Sequence, residues 1–279
     1  MAKTRRPLLT NAARPATYEV EAFNERGEMV PTSIAGEHPL TLYLDKRELV
    51  TLMTLGHAPE ALAIGFLRNQ RLVAALEDIK AVQVDWETQS VAVTSNRKSG
   101  IAKKTRKKTV TTGCGQGTVY GDLMEEIDSI KLRDDVSLAD ADLFVLIEKV
   151  RRHETIYKQA GAVHGCALAA RDGEILMFVE DVGRHNAVDA IAGFMWLEAI
   201  DGSDKVFYTT GRLTSEMVIK CAQMRIPFLV SRSGLTKMGH DIARQVGLTM
   251  IGRASGRHYL AFAGKHRLRY SAPQPTMTA

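Results

Sequence analysis

Between residues 164 and 252 strand-length apolar runs alternate with helix-length segments, and this alternation restricts the fold more than any other feature of the chain. HGCALAA, the turn RDG and EILMFVE read as a hairpin. A helix at 186–200 follows, then the strand KVFYTT, a helix at 214–224, the strand PFLVS, a helix at 236–246, the strand LTMIG and a last strand, YLAFA. Strands separated by helices imply a sheet covered on both faces and joined by right-handed crossovers. Just upstream, Ser137 and Asp140 form a capping-box-like start for a helix running to about residue 157.

The first part of the chain is less regular. PLTLYLDKRELVTLMTLG suggests short strands at roughly 39–44 and 48–54, and HAPEALAIGFLRNQ a helix with Pro59 in its first turn, where the missing N–H does little harm. KAVQVDWETQSVAVTS alternates apolar and polar residues as a hairpin does. The expected organisation is a disordered N-terminus (1–15), a small α+β region (16–96), a basic loop (97–121), an α/β domain (122–264) and a flexible tail (265–279).

Ligands of open α/β sheets bind beyond the C-terminal ends of the strands. Here four such ends pair glycine with arginine. EDVGRHNAVD carries Arg184 after Gly183, GRLTSE carries Arg212 after Gly211, SRSGLTK carries Arg232 before Gly234, and GRASGRH carries Arg253 and Arg257. Glycine admits close approach of a ligand to the backbone, helix N-termini offer free N–H groups, and arginine presents a planar fork to phosphate oxygens. Four in succession point to a polyphosphate or dinucleotide ligand. His185 and Asn186 open a helix and read as capping or packing residues as readily as ligand contacts. Asp181 suits a ribose acceptor, and Asp189 a helix surface charge.

With 45% hydrophobic and 25% charged residues the chain is globular. It has no 18-residue apolar run and no secretory leader, which suggests a cytoplasmic protein. The three cysteines, Cys114, Cys166 and Cys221, are too few for a disulfide framework and form no CxxC pair for a structural zinc. A net charge of +5 suits an anionic partner, whether nucleic acid, nucleotide or acidic protein.

Cys221 in IKCAQM and Cys166 in an apolar strand read as core residues, as do Met177, Met195 and Met217; His164, two residues before Cys166, suits a structural hydrogen bonder. Cys114 differs. It sits in TTGCGQG among small and polar residues, where packing explains little, and seven Lys and Arg lie between Arg97 and Lys108 just upstream. Nearby positive charge favours thiolate, so Cys114 reads as a nucleophile or sulfur carrier.

Taken together, ALAIGFLRN, TTGCGQG, QAGAVHGCALA, EDVGRHNAVDAIAG and the run from TTGRLTSEMV to GRASGRH resemble the FdhD/NarQ family of formate dehydrogenase accessory proteins, over about residues 40–264. The resemblance implies a cytidine deaminase-like three-layer α/β/α domain with a mixed sheet, preceded by the small α+β region, and a homodimer. It implies a sulfurtransferase. Cys114 would accept persulfide sulfur from a cysteine desulfurase and pass it to the molybdenum or tungsten bis-molybdopterin guanine dinucleotide cofactor of formate dehydrogenase. Arg253, Ala254, Ser255, Gly256, Arg257 and His258 match the family's cofactor segment, and a guanine nucleotide such as GDP would share the site with Arg184, His185, Arg212 and Arg232. No nucleic acid, membrane or metal site belongs to this reading. Two departures stand out: Gly117 replaces the second cysteine of the family's frequent CxxC, and Arg253 stands where the family usually has an aromatic residue. The rival readings are a non-catalytic cofactor chaperone and a zinc deaminase. The latter needs an HxE motif, whose nearest match here is His185-Asn186-Ala187, without glutamate.

Overall fold

The structure is a computed structural model and describes residues 6–96, 127, 129–153 and 155–271. Cys114, the basic run and the rest of 97–121 lie outside the described residues.

The chain begins with β1 (Leu8–Leu9), a hairpin of β2 (Thr17–Phe23) and β3 (Met29–Ala35), β4 (His38–Leu44) and β5 (Arg47–Thr54). Helix α1 (Pro59–Asn69), β6 (Ile79–Asp85) and β7 (Ser90–Ser95) complete the first region. Its sheet has the order β1-β6-β7-β4-β5.

Residues 6–15 are therefore part of the fold, not a disordered lead. Leu8 and Leu9 pair in parallel with Ala81 and Val82. The Thr10 hydroxyl donates to Val82 O at 3.2 Å and accepts from Val84 N at 3.0 Å. Trp86 Nε1 donates to Ala12 O, and the Arg14 guanidinium lies 4.9 Å from the centre of the Trp86 ring. These contacts give an otherwise polar segment partners for its backbone, which its composition alone does not suggest.

The second region contains β8 (Leu138–Ala139), α2 (Asp140–His153), α3 (Ile156–Ala160), β9 (His164–Ala169), β10 (Ile175–Asp181), α4 (Arg184–Leu197), β11 (Val206–Thr209), α5 (Ser215–Gln223), β12 (Phe228–Ser231), α6 (Lys237–Gln245), β13 (Thr249–Ser255), β14 (His258–Ala263) and β15 (Leu268–Arg269). Its six-stranded sheet has the order β10-β9-β11-β12-β13-β14, with β11, β12 and β13 parallel and the outer pairs antiparallel. One face (Cys166, Leu168, Phe207, Leu229, Met250) packs in a core with α4, α5 and α6; the other (Ala167, Ala169, Tyr208, Phe228, Val230) packs with Leu143, Leu146 and Val150 of α2. The result is three layers around a mixed sheet, as the alternation requires. Among the described residues no helix is long and apolar enough to cross a membrane.

Two boundaries differ from the sequence reading. The expected long helix stops at His153, because the Glu180 carboxylate accepts from Thr155 N, Ile156 N and Tyr157 N and starts α3 there. Residues 265–271 are not a tail. Arg267 is buried, donates to Gly247 O at 2.7 Å and Arg133 O at 2.8 Å, and delivers β15 to pair with β8.

The two regions share one apolar core, joined through α1. Every residue of α1 except Arg68 is buried, as expected of a helix covered on all sides. It crosses α4 backbone to backbone. A Cβ on Gly65 would fall 1.6 Å from Asp189 O, and one on Gly193 1.9 Å from Ala61 O. No side chain can yield there, so Gly65→Ala should destabilise the protein by about 3 kcal/mol or more. Gly27→Ala, in an open hairpin turn with nothing within 4 Å but a φ of +73°, should lose only about 1 kcal/mol. Urea unfolding of the two variants checks the difference; equal losses would mean that the helices separate without penalty.

Candidate functional site

β10, β11, β12 and β13 all run in one direction, so their C-terminal ends lie along one edge of the sheet. The ladder there places Asp181 opposite His164, and Thr209 between Cys166 and Ser231. The turns that leave these strands are tied to one another. Gly165 N donates to the Thr210 hydroxyl at 3.1 Å, the Ser231 hydroxyl donates to Gly211 O at 2.6 Å, Leu213 N donates to Gly234 O at 3.0 Å, and Arg253 N donates to Ser233 O at 2.9 Å.

This edge gathers the predicted arginines. Arg184 is the first residue of α4, and its side chain crosses Gly211 so closely that a Cβ there would lie 2.5 Å from Arg184 Cδ. Glycine at 211 thus makes room for an arginine from the neighbouring turn. Arg212 and Arg232 are exposed, and the Arg232 guanidinium lies 5.2 Å from the centre of the Tyr157 ring of α3. His164 sits among all three. Burial first, then the charges of Arg184, Arg232 and Arg212, lower its pKa, while its Nδ1 lies 3.3 Å from the Thr210 hydroxyl. The positive field of the three guanidiniums at this imidazole disfavours a further positive charge there.

Arg253–His258 forms the β13–β14 turn rather than a loop entering a helix. Arg253 is exposed with a left-handed φ of 53° at a bulge, Ala254 is buried, and Ser255 pairs with His258 across Gly256 and Arg257. The segment is anchored to the edge by Arg253, next to the Arg232 turn, and its exposed tip extends beyond.

The floor of the edge is built from residues whose roles the sequence conceals. Asp181 is not open to a ribose. One oxygen accepts from Gly183 N at 3.0 Å and Asn186 Nδ2 at 2.8 Å, the other from the Thr54 hydroxyl and Leu55 N. Asn186 also donates to Met53 O at 2.6 Å, so the α4 N-terminus is clamped to the end of β5. Asp189 is not a surface charge either. It is fully buried, accepts from Lys220 Nζ at 2.8 Å and from Asn69 Nδ2 at 2.7 Å, and Glu216 stands 3.6 Å from the same ammonium. Burial opposes the Lys220 charge, and the two carboxylates outweigh it and hold its pKa above the usual value.

His185 lies beneath Arg184 and is 3% exposed. Burial, with the charges of Lys220 and Arg184 behind it, pushes its pKa down to about 2, so the ring is neutral and its 3.5 Å approach to Glu216 is not an ion pair. Neither ring nitrogen has a hydrogen-bond partner. Cys166 and Cys221 are fully buried, as their apolar settings suggest, and burial pushes the Cys166 thiol up to about 12. Among the described residues no group of three His, Cys, Asp or Glu could hold a metal ion.

An unfolded imidazole takes up its proton near pH 6.5, and His185 in the fold does so near pH 2. Between those values the unfolded chain binds the extra proton, so this stabilisation is complete above about pH 6.5 and is lost as pH falls. Wild type should lose about 2 kcal/mol more than His185→Gln between pH 7 and pH 5. Urea unfolding at both pH values checks this; parallel losses would mean that the buried ring accepts a proton readily.

Known proteins resemble this chain in both sequence and fold. The profile of the FdhD/NarQ family matches residues 35–269. The sulfur carrier protein FdhD of Listeria monocytogenes is 29% identical over 254 residues, covering 90% of this chain and 95% of that protein. Its counterpart in Wolinella succinogenes is 32% identical over 221 residues, covering 79% and 77%. A crystal structure assigned to a formate dehydrogenase accessory protein from Desulfotalea psychrophila matches with a TM-score of 0.76 at 26% identity, over 91% of this chain and 100% of that one. With its family profile spanning both regions and its arginine turns gathered on one sheet edge, the chain belongs to the FdhD/NarQ family.

Proposed function

We propose that this protein is a sulfur carrier for the maturation of formate dehydrogenase, with Cys114 as the carrier residue and the arginine edge as the cofactor site. The observation that carries the reading is the gathering of Arg184, Arg212 and Arg232 around a neutral His164, in a chain whose family relatives are named sulfur carriers.

The Cys114 thiolate attacks the terminal sulfur of a persulfide on a cysteine desulfurase. A new S–S bond forms on Cys114, the old one breaks, and the desulfurase cysteine leaves as thiolate. The basic run at 97–108 would favour the thiolate and receive an acidic donor surface. The sulfur is destined for the bis-molybdopterin guanine dinucleotide cofactor of formate dehydrogenase, which is the substrate here. Its pyrophosphates suit Arg212 and Arg232 and the positive N-terminal ends of α4 and α5. Arg253–His258 would contact the remainder of the dinucleotide, and GDP would occupy part of the same place. A cytoplasmic homodimer is part of this reading.

Gly117 in place of a second loop cysteine favours a rival in which the protein holds and shields the cofactor without carrying sulfur. Incubation with a cysteine desulfurase and cysteine, followed by intact-mass spectrometry, separates the two. The carrier gains one reducible sulfur on wild type and none on Cys114→Ala; no gain on wild type beside an active desulfurase would leave the holding role alone. Arg212→Ala and Arg232→Ala should each weaken GDP binding about tenfold, as loss of a charged hydrogen bond does, with unchanged melting temperature. Unchanged GDP affinity in both would move the nucleotide off this edge.

A further inference from the structure

Two histidines lie on the arginine edge, and their surroundings differ. His185 is sealed, and neither of its ring nitrogens has a hydrogen-bond partner. His164 is only half-buried. It opens β9 opposite Asp181 of β10, on the sheet face that Cys166 and Leu168 turn toward α4. Its Nδ1 lies 3.3 Å from the Thr210 hydroxyl. Its Nε2 makes no hydrogen bond among the described residues and, unlike the nitrogens of His185, is not sealed from solvent. The Thr210 hydroxyl serves His164 in either protonation state. Its oxygen accepts from Gly165 N at 3.1 Å, which keeps one lone pair and the hydroxyl hydrogen for the imidazole. A bare Nδ1 takes that hydrogen, and a protonated Nδ1 gives its own to the remaining lone pair. A proton can therefore reach or leave His164 with only a rotation of the hydroxyl.

Around the ring, among the described residues, stand Asp181 of β10, Thr210 and Arg212 beyond β11, Arg184 and His185 of α4 and Arg232 beyond β12. The Asp181 oxygens accept from Thr54, Leu55, Gly183 and Asn186, and His185 is neutral. Burial, ahead of the charges of Arg184, Arg232 and Arg212, lowers the His164 pKa from its ordinary value. An anion against Nε2 opposes that effect, because it replaces the lost solvation of the charged ring with a charge-assisted hydrogen bond. Arg212, next but one to Thr210 in the chain, is exposed and makes no hydrogen bond or ion pair among the described residues.

We propose that His164 binds a phosphate of the edge's ligand as an imidazolium, with Nε2–H donating to a phosphate oxygen that Arg212 also holds, so that ligand binding brings a proton from solvent onto the ring. This role rests on the cofactor reading of the edge and adds to it a grip that tightens as pH falls. His164 takes up its proton at a higher pH in the complex than in the free protein. Affinity is then greatest at pH values where the free ring is already protonated. It falls as pH rises through the interval between the two titrations and levels off above the second.

Calorimetric titration with GDP at about pH 6.5, in two buffers of different ionisation enthalpy (PIPES and Bis-Tris), reads the protons taken up on binding. The phosphate of GDP titrates with every protein alike, so comparison with His164→Gln isolates the ring. Wild type should take up more protons than His164→Gln, by at most one per site. Its GDP affinity should also fall about tenfold more than that of the variant between about pH 5.5 and pH 8. Thr210→Val keeps the ring but leaves a protonated Nδ1 without an acceptor. It should lower the excess as well, and it serves as the comparison if His164→Gln does not fold. Equal proton uptake and parallel pH curves in wild type and the variants, with GDP bound, overturn the role of His164 and leave the cofactor site standing. No GDP binding by wild type across that range overturns the cofactor reading of the edge, and this role with it.

Discussion

The contact on which the rest depends is the crossing of α1 and α4, where Gly65 and Gly193 let two backbones touch. It joins the five-stranded sheet to the six-stranded one through a helix buried on nearly all sides. Such a crossing fixes the spacing of the two helices to within a methyl group, because any side chain at either glycine would meet a main-chain carbonyl. The helix that is held this way is also the one whose first turn supplies Arg184, His185 and Asn186 to the arginine edge. Packing in the middle of α4 therefore sets the position of functional groups at its start.

Polar links reinforce the same junction. Asn69 of α1 and Lys220 of α5 meet on Asp189 of α4, and Thr54, Leu55, Gly183 and Asn186 converge on Asp181. Breaking a buried charge pair by removing one partner is far more damaging than never having built it. These carboxylates thus act as fixed pins between regions more than 100 residues apart in sequence.

Much of this was legible in the sequence, and the failures have physical causes. Strand and helix alternation from His164 to Gly252 announced the sheet, and its direction follows from two parallel crossovers, so the meeting of Arg184, Arg212 and Arg232 was readable from topology. The roles of Asp181 and Asp189 were not, because their partners Thr54 and Asn69 lie in the other region and no local pattern marks them. The hairpin β2–β3 escaped notice because TYEVEAF and MVPTSIA are only partly buried on both faces, which blurs the period-two signal. Residues 6–15 and 265–271 were misread as ends because hydrogen bonds of Trp86 and Arg267, not apolar side chains of their own, secure them.

Burial also sorts the cysteines by chemistry. Sulfur transfer needs a thiolate, and a thiol pushed up to about 12 is ionised in roughly one molecule in 10⁵ at pH 7. Cys166 gives its hydrogen to the Thr209 hydroxyl at 3.3 Å inside the core, and burial raises the Cys221 thiol well above its usual value. Neither can meet the persulfide of another protein without opening the layer between the sheet and α4. These two buried thiols are for that reason poorly suited to carry sulfur. In the proposed reading the carrier is Cys114, whose glycine neighbours and basic flank in the sequence suit a reactive thiol.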